Sequence, residues 1–262
     1  MDPMNKHRVQ SINDLSRFYD VLATDYDMMT NFEKRFAQEK PFFKLLIDRY
    51  NIAKALDAGC GTGYNSMILA QLGVDVTAAD ISDEMLRRTE KHARTLGVQV
   101  RISKSSFQDL TSHIDEKFDA IFCLGNSLVH LINQIDLEIT LKNFSSLLRS
   151  EGILFIQILN YEKILNERNI IQNVKEEGGV TIIREYEYEE KTIRFTIRTI
   201  RHDGKVKLEN ANTVEIRPLI RTDIIPGLYS AGFKDIKIFG SISMIDFVPT
   251  NTKDLVILAK KV

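Results

Sequence analysis

The sequence predicts an α/β fold in which a mostly parallel sheet has helices on both faces and a smaller antiparallel sheet is inserted. Two observations predict this class. Up to residue 159, short runs of β-branched and small apolar residues alternate with segments whose apolar residues recur at helical spacing, which is typical of a parallel sheet. Between residues 181 and 216 the apolar residues recur with period two, which indicates antiparallel strands with one solvated face.

The first part of the chain supplies five predicted strands with helices between them. The strands are expected at residues 53–58, 74–79, 98–102, 118–124 and 153–159, and the helices at 64–72, 83–96 and 137–148. Ser82 is a suitable N-cap because its hydroxyl can accept a bond from a free backbone N–H. Gly97 can adopt the left-handed conformation that ends a helix, and Gly152 is expected to break the chain before the fifth strand.

The later part predicts three antiparallel strands followed by a return of the α/β pattern. The strands are expected at residues 181–189, 192–200 and 206–216, with a turn at Asp203-Gly204, and the last elements at 222–231, 234–239 and 254–260. We therefore divide the chain into a main domain, residues 1–159 and 219–262, and a cap, residues 160–218. Because the cap follows the carboxyl end of a parallel strand, we expect it to cover a small-molecule site, the alternative being a purely structural extension.

The composition excludes several classes of protein. The chain has 262 residues, of which 44% are hydrophobic and 27% charged, as in ordinary globular proteins. Its formal net charge of −1 gives no strong field for nucleic acid or an acidic membrane surface. Cys60 and Cys123 lack the spacing of zinc ligands, so we predict no metal site and free buried thiols. Without an apolar membrane span or a secretion signal, a cytoplasmic location is expected.

A glycine-rich loop follows the first predicted strand. Gly59, Gly61 and Gly63 form the pattern G-x-G-x-G. Glycine allows a sharp turn and a close approach of ligand to backbone, and the helix that begins here offers free N–H donors. The next position, where a dinucleotide-binding loop has its last glycine, is Tyr64, which is too large for a pyrophosphate to pass closely. The loop therefore favours a ligand without phosphate and argues against a nicotinamide-dependent oxidoreductase.

Acidic residues precede and follow this loop. Asp57 would repel a phosphate but can bind an ammonium group through charge-assisted hydrogen bonds. Asp80 ends the second predicted strand, where a carboxylate can accept both hydroxyls of a ribose. A ribose, an ammonium group and no phosphate together describe S-adenosylmethionine.

The run from Leu56 to Tyr64, with Asp80, resembles motif I and the following acidic motif of class I S-adenosylmethionine-dependent methyltransferases. The resemblance implies a Rossmann-like sheet of seven mostly parallel strands. It also implies that residues after the third strand contact the adenine, for which we predict Ser106, the backbone of Phe107, and Ile81 packing on the ring. The complete predicted donor-binding set is Asp57, Gly59, Cys60, Gly61, Gly63, Asp80, Ile81, Ser106, Phe107, Leu124 and Tyr19.

Residues 123–131 have the sequence C-L-G-N-S-L-V-H-L and lack the Asn/Asp-Pro-Pro-aromatic motif of enzymes that methylate nucleobase or amide nitrogens. The run is similar to glycine/sarcosine N-methyltransferases, and so is N-Y-E-K-I-L at residues 160–165. This resemblance implies that the backbone of Leu124 contacts the methionine ammonium and that Asn126 contacts the acceptor's carboxylate. The family has an arginine at the position of Leu159, and leucine cannot supply its charge or its bidentate geometry.

Two interpretations of Leu159 are open: the acceptor is less anionic, or an arginine of the inserted sheet contacts it. The candidates are Arg184, Arg194 and Arg198.

Asn126, His130 and Tyr26 are the predicted catalytic residues. Tyr26, like Tyr19, is placed to close over the donor or to orient the acceptor. An oxygen acceptor needs a general base, whereas an amine needs only a free lone pair, so His130 is a candidate base or a structural hydrogen-bonding group.

The predicted function is methyl transfer to a small-molecule acceptor, with an amine favoured over an oxygen. No nucleic-acid or membrane partner is expected, and a homo-oligomer is compatible with the sequence. The alternatives are an O-methyltransferase acting on a small molecule, an RNA or protein methyltransferase, and a non-catalytic donor-binding protein.

Overall fold

The computed structural model describes residues 11–30, 32–203 and 206–262. The strands are β1 (Lys54–Ala58), β2 (Asp75–Asp80), β3 (Arg101–Lys104), β4 (Phe118–Cys123), β5 (Leu148–Leu159), β6 (Ile171–Glu177), β7 (Val180–Tyr188), β8 (Ile193–Asp203), β9 (Val206–Ile216), β10 (Phe233–Phe239) and β11 (Asp254–Lys261). The helices are α1 (Ile12–Thr30), α2 (Phe32–Tyr50), α3 (Tyr64–Gln71), α4 (Asp83–Leu96), α5 (Leu110–His113), α6 (Gln134–Leu147), α7 (Tyr161–Glu167) and α8 (Arg221–Ser230), with a 3₁₀ turn at Ser127–His130.

The main sheet has seven strands in the order β10-β11-β5-β4-β1-β2-β3. Strands β1 to β5 pair in parallel, and β11 is antiparallel to both β5 and β10. The mostly parallel seven-stranded sheet predicted from the sequence is therefore confirmed. Strand order reverses between β1 and β4, and ligands of open α/β sheets bind in the crevice at the carboxyl ends of the strands at such a point.

Helices cover both faces of this sheet, so its central strands are apolar throughout. In β4, Ile121 belongs to one hydrophobic cluster together with Leu56, whereas its neighbour Phe122 belongs to another together with Phe43. Adjacent residues of a strand point to opposite faces, so this division places one core on each side of the sheet. Both cysteines are buried free thiols, as predicted.

Short-range sequence features predicted the positions of most of the strands and helices correctly. The Ser82 hydroxyl accepts a hydrogen bond from the backbone N–H of Met85 at 3.1 Å, and Gly97 ends α4 with φ = +66°. Strand β3 begins at Arg101 rather than at the predicted residue 98, because the N–H of Val98 bonds back to the carbonyl of Ala93 and still closes the helix end. Helices α1, α2, α5 and α7 and strand β6 were not predicted.

The predicted break at Gly152 lies inside β5, which begins at Leu148. The strand pairing shifts register there, between Phe118 and Ala120 of β4. Gly152 is needed at this irregularity because a Cβ would lie 2.9 Å from the carbonyl oxygen of Arg149.

The second sheet is antiparallel in the order β6-β7-β8-β9, which confirms the three predicted strands. Ile193 and Ile197 are buried on the face that packs toward the core, and Phe195 between them contacts Phe18 of α1 with ring centroids 6.2 Å apart. The predicted turn at Asp203-Gly204 begins at the last residue of β8, and Gly204 lies outside the described residues. The division at residues 160 and 218 remains a prediction, and Tyr161 at its start is fully buried in the main core.

None of the helices in the described ranges combines the length with the apolar character that crossing a membrane requires.

Candidate active site

A partly open cavity lies at the carboxyl ends of β1, β2 and β4, beneath the N-terminal helix α1. It lies where strand order reverses in the main sheet, the position expected for a ligand. Nine residues predicted from the sequence line it: Tyr19, Tyr26, Gly59, Gly61, Asp80, Ile81, Ser106, Phe107 and His130. The wall also contains Ser105, Gln108, Ser127, Leu131, Ile132 and Asn133, which sequence reasoning did not select.

The glycine loop forms the cavity floor and also fixes the packing around it. A Cβ on Gly59 would lie 2.9 Å from the Ser127 side chain and 3.1 Å from the Phe107 ring. A Cβ on Gly63 would lie 2.6 Å from Thr89 of α4, at a backbone φ of +82°. Gly59 therefore keeps the floor open, whereas Gly63 allows the loop to pack against α4.

Asp80 stands at the edge of the cavity with its carboxylate held by backbone amides. The N–H of Gly61 donates to Oδ2 at 2.9 Å, and the N–H of Ser82 donates to Oδ1 at 3.0 Å. Burial raises the pKa of Asp80, and the hydrogen bonds counteract this. Each oxygen retains a lone pair, so the carboxylate can accept two further hydrogen bonds from a diol.

The structure distinguishes two neighbouring serines on the cavity wall. The Ser106 hydroxyl donates to the carboxylate of Asp109 at 2.8 Å and accepts from its N–H at 3.2 Å, so it holds the turn before α5. The buried Ser105 hydroxyl has no hydrogen-bond partner among the described residues. Asn143 fixes the following loop by donating to the carbonyls of Phe107 and Gln108. A hydroxyl aimed at a ligand is therefore better supplied by Ser105 than by the predicted Ser106.

Four residues of the predicted donor set lie outside the described cavity wall, namely Asp57, Cys60, Gly63 and Leu124. Asp57 is completely buried beneath the loop, and the Ser66 hydroxyl donates to its Oδ2 at 2.6 Å. Burial raises the pKa of Asp57 to about 6. Its Oδ1 has no hydrogen-bond partner in the described part of the chain. A role of Asp57 toward a ligand's ammonium group stays a prediction.

Tyr19, Tyr26 and His130 meet on the α1 side of the cavity. The Tyr19 hydroxyl lies 2.6 Å from Nε2 of His130, and the Tyr19 and Tyr26 ring centroids are 6.4 Å apart. Burial lowers the pKa of His130 to about 4, so the imidazole is neutral near pH 7. Its Nδ1 is buried and has no partner within the described ranges.

Asn126 uses both ends of its amide inside the protein. Its Nδ2 donates to the Tyr161 hydroxyl at 2.9 Å, and its Oδ1 accepts from the N–H of Leu159 at 3.0 Å. The Tyr161 hydroxyl in turn interacts with that of Tyr186 on the cap sheet. Asn126 thus ties the loop after β4 to β5 and α7, and it is not among the described wall residues. Its contact with an acceptor remains a prediction.

The cap sheet separates the three candidate arginines by face. Arg194 pairs with Glu187 at 2.6 Å and Arg198 with Glu185 at 3.0 Å on the outer face. Arg184 lies on the same face of β7 as Ile182 and Tyr186, which are buried on the inner side of the cap sheet. The sequence contained this signal, because Arg184 occupies an apolar-face position in the period-two pattern.

The cavity suits a ligand that carries a ribose and a flat ring. Asp80 offers free lone pairs to the hydroxyls of a ribose, and Ser105 offers an unbonded hydroxyl. Phe107, Leu131 and Ile132 supply an apolar surface for a ring. Gly59 and Gly61 line the cavity, so at these two positions the loop places no side chain in the space that a ligand would occupy.

Comparisons with known proteins agree with this geometry. Residues 55–152 match a family model described as a methyltransferase domain. The chain is 30% identical to a glycine/sarcosine N-methyltransferase of Aphanothece halophytica over 234 residues, which are 87% of this chain and 82% of the relative. A glycine/sarcosine N-methyltransferase of Halorhodospira halochloris is 35% identical over 149 residues, which cover 57% of this chain and 56% of that relative.

The fold is similar to that of an S-adenosylmethionine-dependent methyltransferase from Clostridium acetobutylicum. The TM-score is 0.80 and the sequence identity 23%, with 93% of this chain and 98% of the other covered. The likeness extends over the cap as well as the main sheet, because it covers nearly the whole of both chains.

Proposed function

Because this chain belongs to the family of S-adenosylmethionine-dependent methyltransferases that includes the glycine/sarcosine N-methyltransferases, we propose that it methylates the nitrogen of a small amine. The observation that carries the choice of nitrogen is the environment of His130. With a pKa of about 4, this imidazole is a weak base near neutral pH. An oxygen acceptor needs a base to remove its proton, whereas a neutral amine already presents a lone pair.

Bound S-adenosylmethionine supplies a methyl group that the sulfonium charge has already activated. In the proposed reaction the amine lone pair forms the N–C bond while the S–C bond breaks, and the electron pair of that bond stays on sulfur. The proton released by the methylated nitrogen passes to water. The protein supplies proximity and alignment, which together can be equivalent to about 10⁵ M or more of effective concentration.

Residues of the cavity wall have separate proposed roles. Asp80 binds the ribose hydroxyls, and the Ser105 hydroxyl and the Phe107 ring contact the adenine. The Tyr19 hydroxyl, fixed by His130 at 2.6 Å, and the Tyr26 ring orient the acceptor and exclude water. This arrangement is supported by the position of all six residues on one cavity. The proposal includes a cytoplasmic location, supported by two buried free thiols, and no nucleic-acid partner, supported by the net charge of −1.

Methylation of an oxygen is the second candidate, and the short Tyr19–His130 contact favours it. A hydroxyl hydrogen-bonded to an imidazole could pass a proton from an acceptor alcohol or phenol. The burial of His130 opposes this role, since its low pKa weakens the base.

The proposal is tested by measuring S-adenosylhomocysteine release with a panel of acceptors: glycine, sarcosine, dimethylglycine, larger amines, phenols and carboxylates. We expect turnover with at least one primary or secondary amine and none with phenols. Turnover confined to phenols or carboxylates would establish the oxygen acceptor instead. Tight donor binding without turnover on any acceptor would favour a non-catalytic donor-binding protein.

A further inference from the structure

The dipeptide Tyr-Asp occurs twice in helix α1, at residues 19–20 and 26–27. The two pairs start seven residues apart, so they lie on the same side of the helix about two turns from each other. Both tyrosines line the cavity. Both aspartates instead contact α4, the helix that follows β2. The aspartates therefore hold the helix that carries the tyrosines.

The first aspartate anchors α1 to the start of α4. Its Oδ1 accepts hydrogen bonds from the Ser82 hydroxyl at 2.6 Å and from the backbone N–H of Glu84 at 3.1 Å. A carboxylate is favoured beside the free N–H groups of a helix N-terminus. Neither donor changes its charge between pH 6 and pH 9, so we expect this anchor to be independent of pH in that range.

The second aspartate contacts a histidine that connects it to the glycine loop. The Nε2 atom of His92 lies 3.2 Å from Oδ2 of Asp27, and its Nδ1 atom lies 2.8 Å from the backbone carbonyl oxygen of Thr62. Both ring nitrogens therefore face hydrogen-bond acceptors. A neutral imidazole has one N–H and can donate to only one of them, whereas the imidazolium donates to both. The geometry of this Asp27–His92–Thr62 bridge favours a protonated His92.

The charges around the bridge act on His92 in opposite directions. The hydrogen bond with Asp27 raises the pKa of His92 above its usual 6.5, and partial burial and the Arg88 guanidinium counteract this. Burial alone would raise the pKa of Asp27, but the bond from His92 and the charge of Arg88 hold it below 3.8. Arg88 lies 3.9 Å from the same Asp27 oxygen, and on the cap side Arg201 pairs with Asp25. These arginine contacts remain when His92 loses its proton.

The bridge lies directly beside the point where α1 covers the glycine loop. A Cβ on Gly61 would lie 3.4 Å from Cε1 of Tyr26, so the tyrosine ring packs over this glycine. Asp27 and Thr62 are the next residues of the two segments, and the bridge joins them. Moving Tyr26 away from the donor loop therefore requires breaking the bridge.

We propose that Asp27 is a positioning residue that holds Tyr26 over the donor site through protonated His92, and that loss of the His92 proton loosens this closure. The inference concerns the donor and does not depend on whether the acceptor is a nitrogen or an oxygen. Because the pKa of His92 is raised when α1 is docked, the contribution of the bridge is complete below about pH 6.5 and is lost as the pH rises through that raised value. The Asp20 anchor and the Arg88 charge remain, so the closure weakens at high pH without being abolished.

The test measures the dissociation rate of S-adenosylhomocysteine from the immobilised full chain by surface plasmon resonance at pH 6 and pH 9. Each variant is expressed as a ratio to wild type at the same pH, which removes effects shared by all proteins, such as ionisation of Asp57. His92→Gln is neutral at both pH values and should dissociate about three- to tenfold faster than wild type at pH 6 but within about twofold of it at pH 9. His92→Lys is charged at both and should dissociate more slowly than wild type at pH 9. His113→Gln, at an exposed histidine of α5, is the matched control and should give a ratio near one throughout.

A ratio for His92→Gln that is the same at both pH values would overturn the proposal, because a purely structural histidine gives that result. A double variant checks the partner: at pH 6, Asp27→Asn combined with His92→Gln should dissociate no more than about twofold faster than Asp27→Asn alone. Effects that multiply fully would show that the two residues act separately, and would also overturn it. If His92→Gln does not fold, His92→Lys and Asp27→Asn give the same comparison across pH. No turnover is measured, so failure of the proposed amine methylation would leave this result intact.

Discussion

Asp57 is a buried carboxylate whose charge we expect to cost the protein stability, and Asp57→Asn tests this. The side chain is fully buried, and burial raises its pKa from 3.8 to about 6. At about 1.36 kcal/mol per pH unit, this difference corresponds to about 3 kcal/mol when the carboxyl is fully ionised. Asparagine is neutral, like the protonated carboxyl, and its carbonyl can still accept the bond from Ser66.

The pH dependence has a definite sign. Because the folded-state pKa lies above the unfolded value of 3.8, the folded protein binds more protons between about pH 4 and pH 6. The penalty is therefore small below pH 4 and complete above about pH 7. Between pH 5 and pH 8 the free energy of unfolding of Asp57→Asn should rise relative to wild type by about 1.4 kcal/mol, nearly half of the total.

Urea unfolding of both proteins across this pH range measures the difference directly. Ser66→Ala is a useful companion variant, because it removes the donor at 2.6 Å from the ionised carboxylate. It should destabilise the protein by about 1.5–3 kcal/mol at pH 8 and by less at pH 5. A difference between Asp57→Asn and wild type that does not vary with pH would refute the buried, ionising carboxylate.

A charge retained at this cost suggests a function. If Asp57 interacts with the ammonium group of the donor, Asp57→Asn should weaken S-adenosylhomocysteine binding about tenfold or more while stabilising the free protein at pH 8. Calorimetry at that pH measures the affinity. Unchanged affinity would limit Asp57 to a structural role beneath the loop.

Three further predictions concern the cavity wall and the glycine loop beside it. Asp80→Ala should weaken S-adenosylhomocysteine binding by about 10- to 100-fold in calorimetry, because the ribose loses two acceptors, whereas Asp83→Ala, at an exposed acid nearby, should not. Gly63→Ala should lower the free energy of unfolding more than Gly73→Ala: both have positive φ, costing about 1–2 kcal/mol, but only Gly63 meets a neighbour within 4 Å. His130→Asn should leave the shape of the pH profile of kcat between pH 6 and pH 8 unchanged, since the imidazole is neutral above about pH 4. If the wild type shows an inflection near pH 6.5 that the variant lacks, His130 titrates as an exposed base and this reasoning is wrong.

Most of the main fold could be predicted because its signals are local. The alternation of strands and helices, the hydroxyl cap at Ser82 and the end of α4 at Gly97 depend on residues within one or two turns of each other. Where a predicted element boundary was wrong, an interaction with a neighbouring element or a helix end determined the structure instead. Residues 98–100 resemble a strand, yet Val98 is used to close the helix that precedes it.

The sequence by itself determined which chemical groups stand at the ends of β1, β2 and β4, because strand ends and glycine turns have short-range signatures. The tertiary structure alone decided which of those groups face the cavity. Asp57 is buried under the loop. The side-chain amide of Asn126 is hydrogen-bonded to Leu159 and Tyr161, which are more than 30 residues away in sequence. The period-two pattern places Arg184 and Arg194 on opposite faces of the cap sheet. Only the packing of the cap against α1 decides which of these faces lies toward the main domain. The physical reason is that a hydrogen bond or desolvated charge depends on neighbours distant in sequence, and these meet only when the chain is folded.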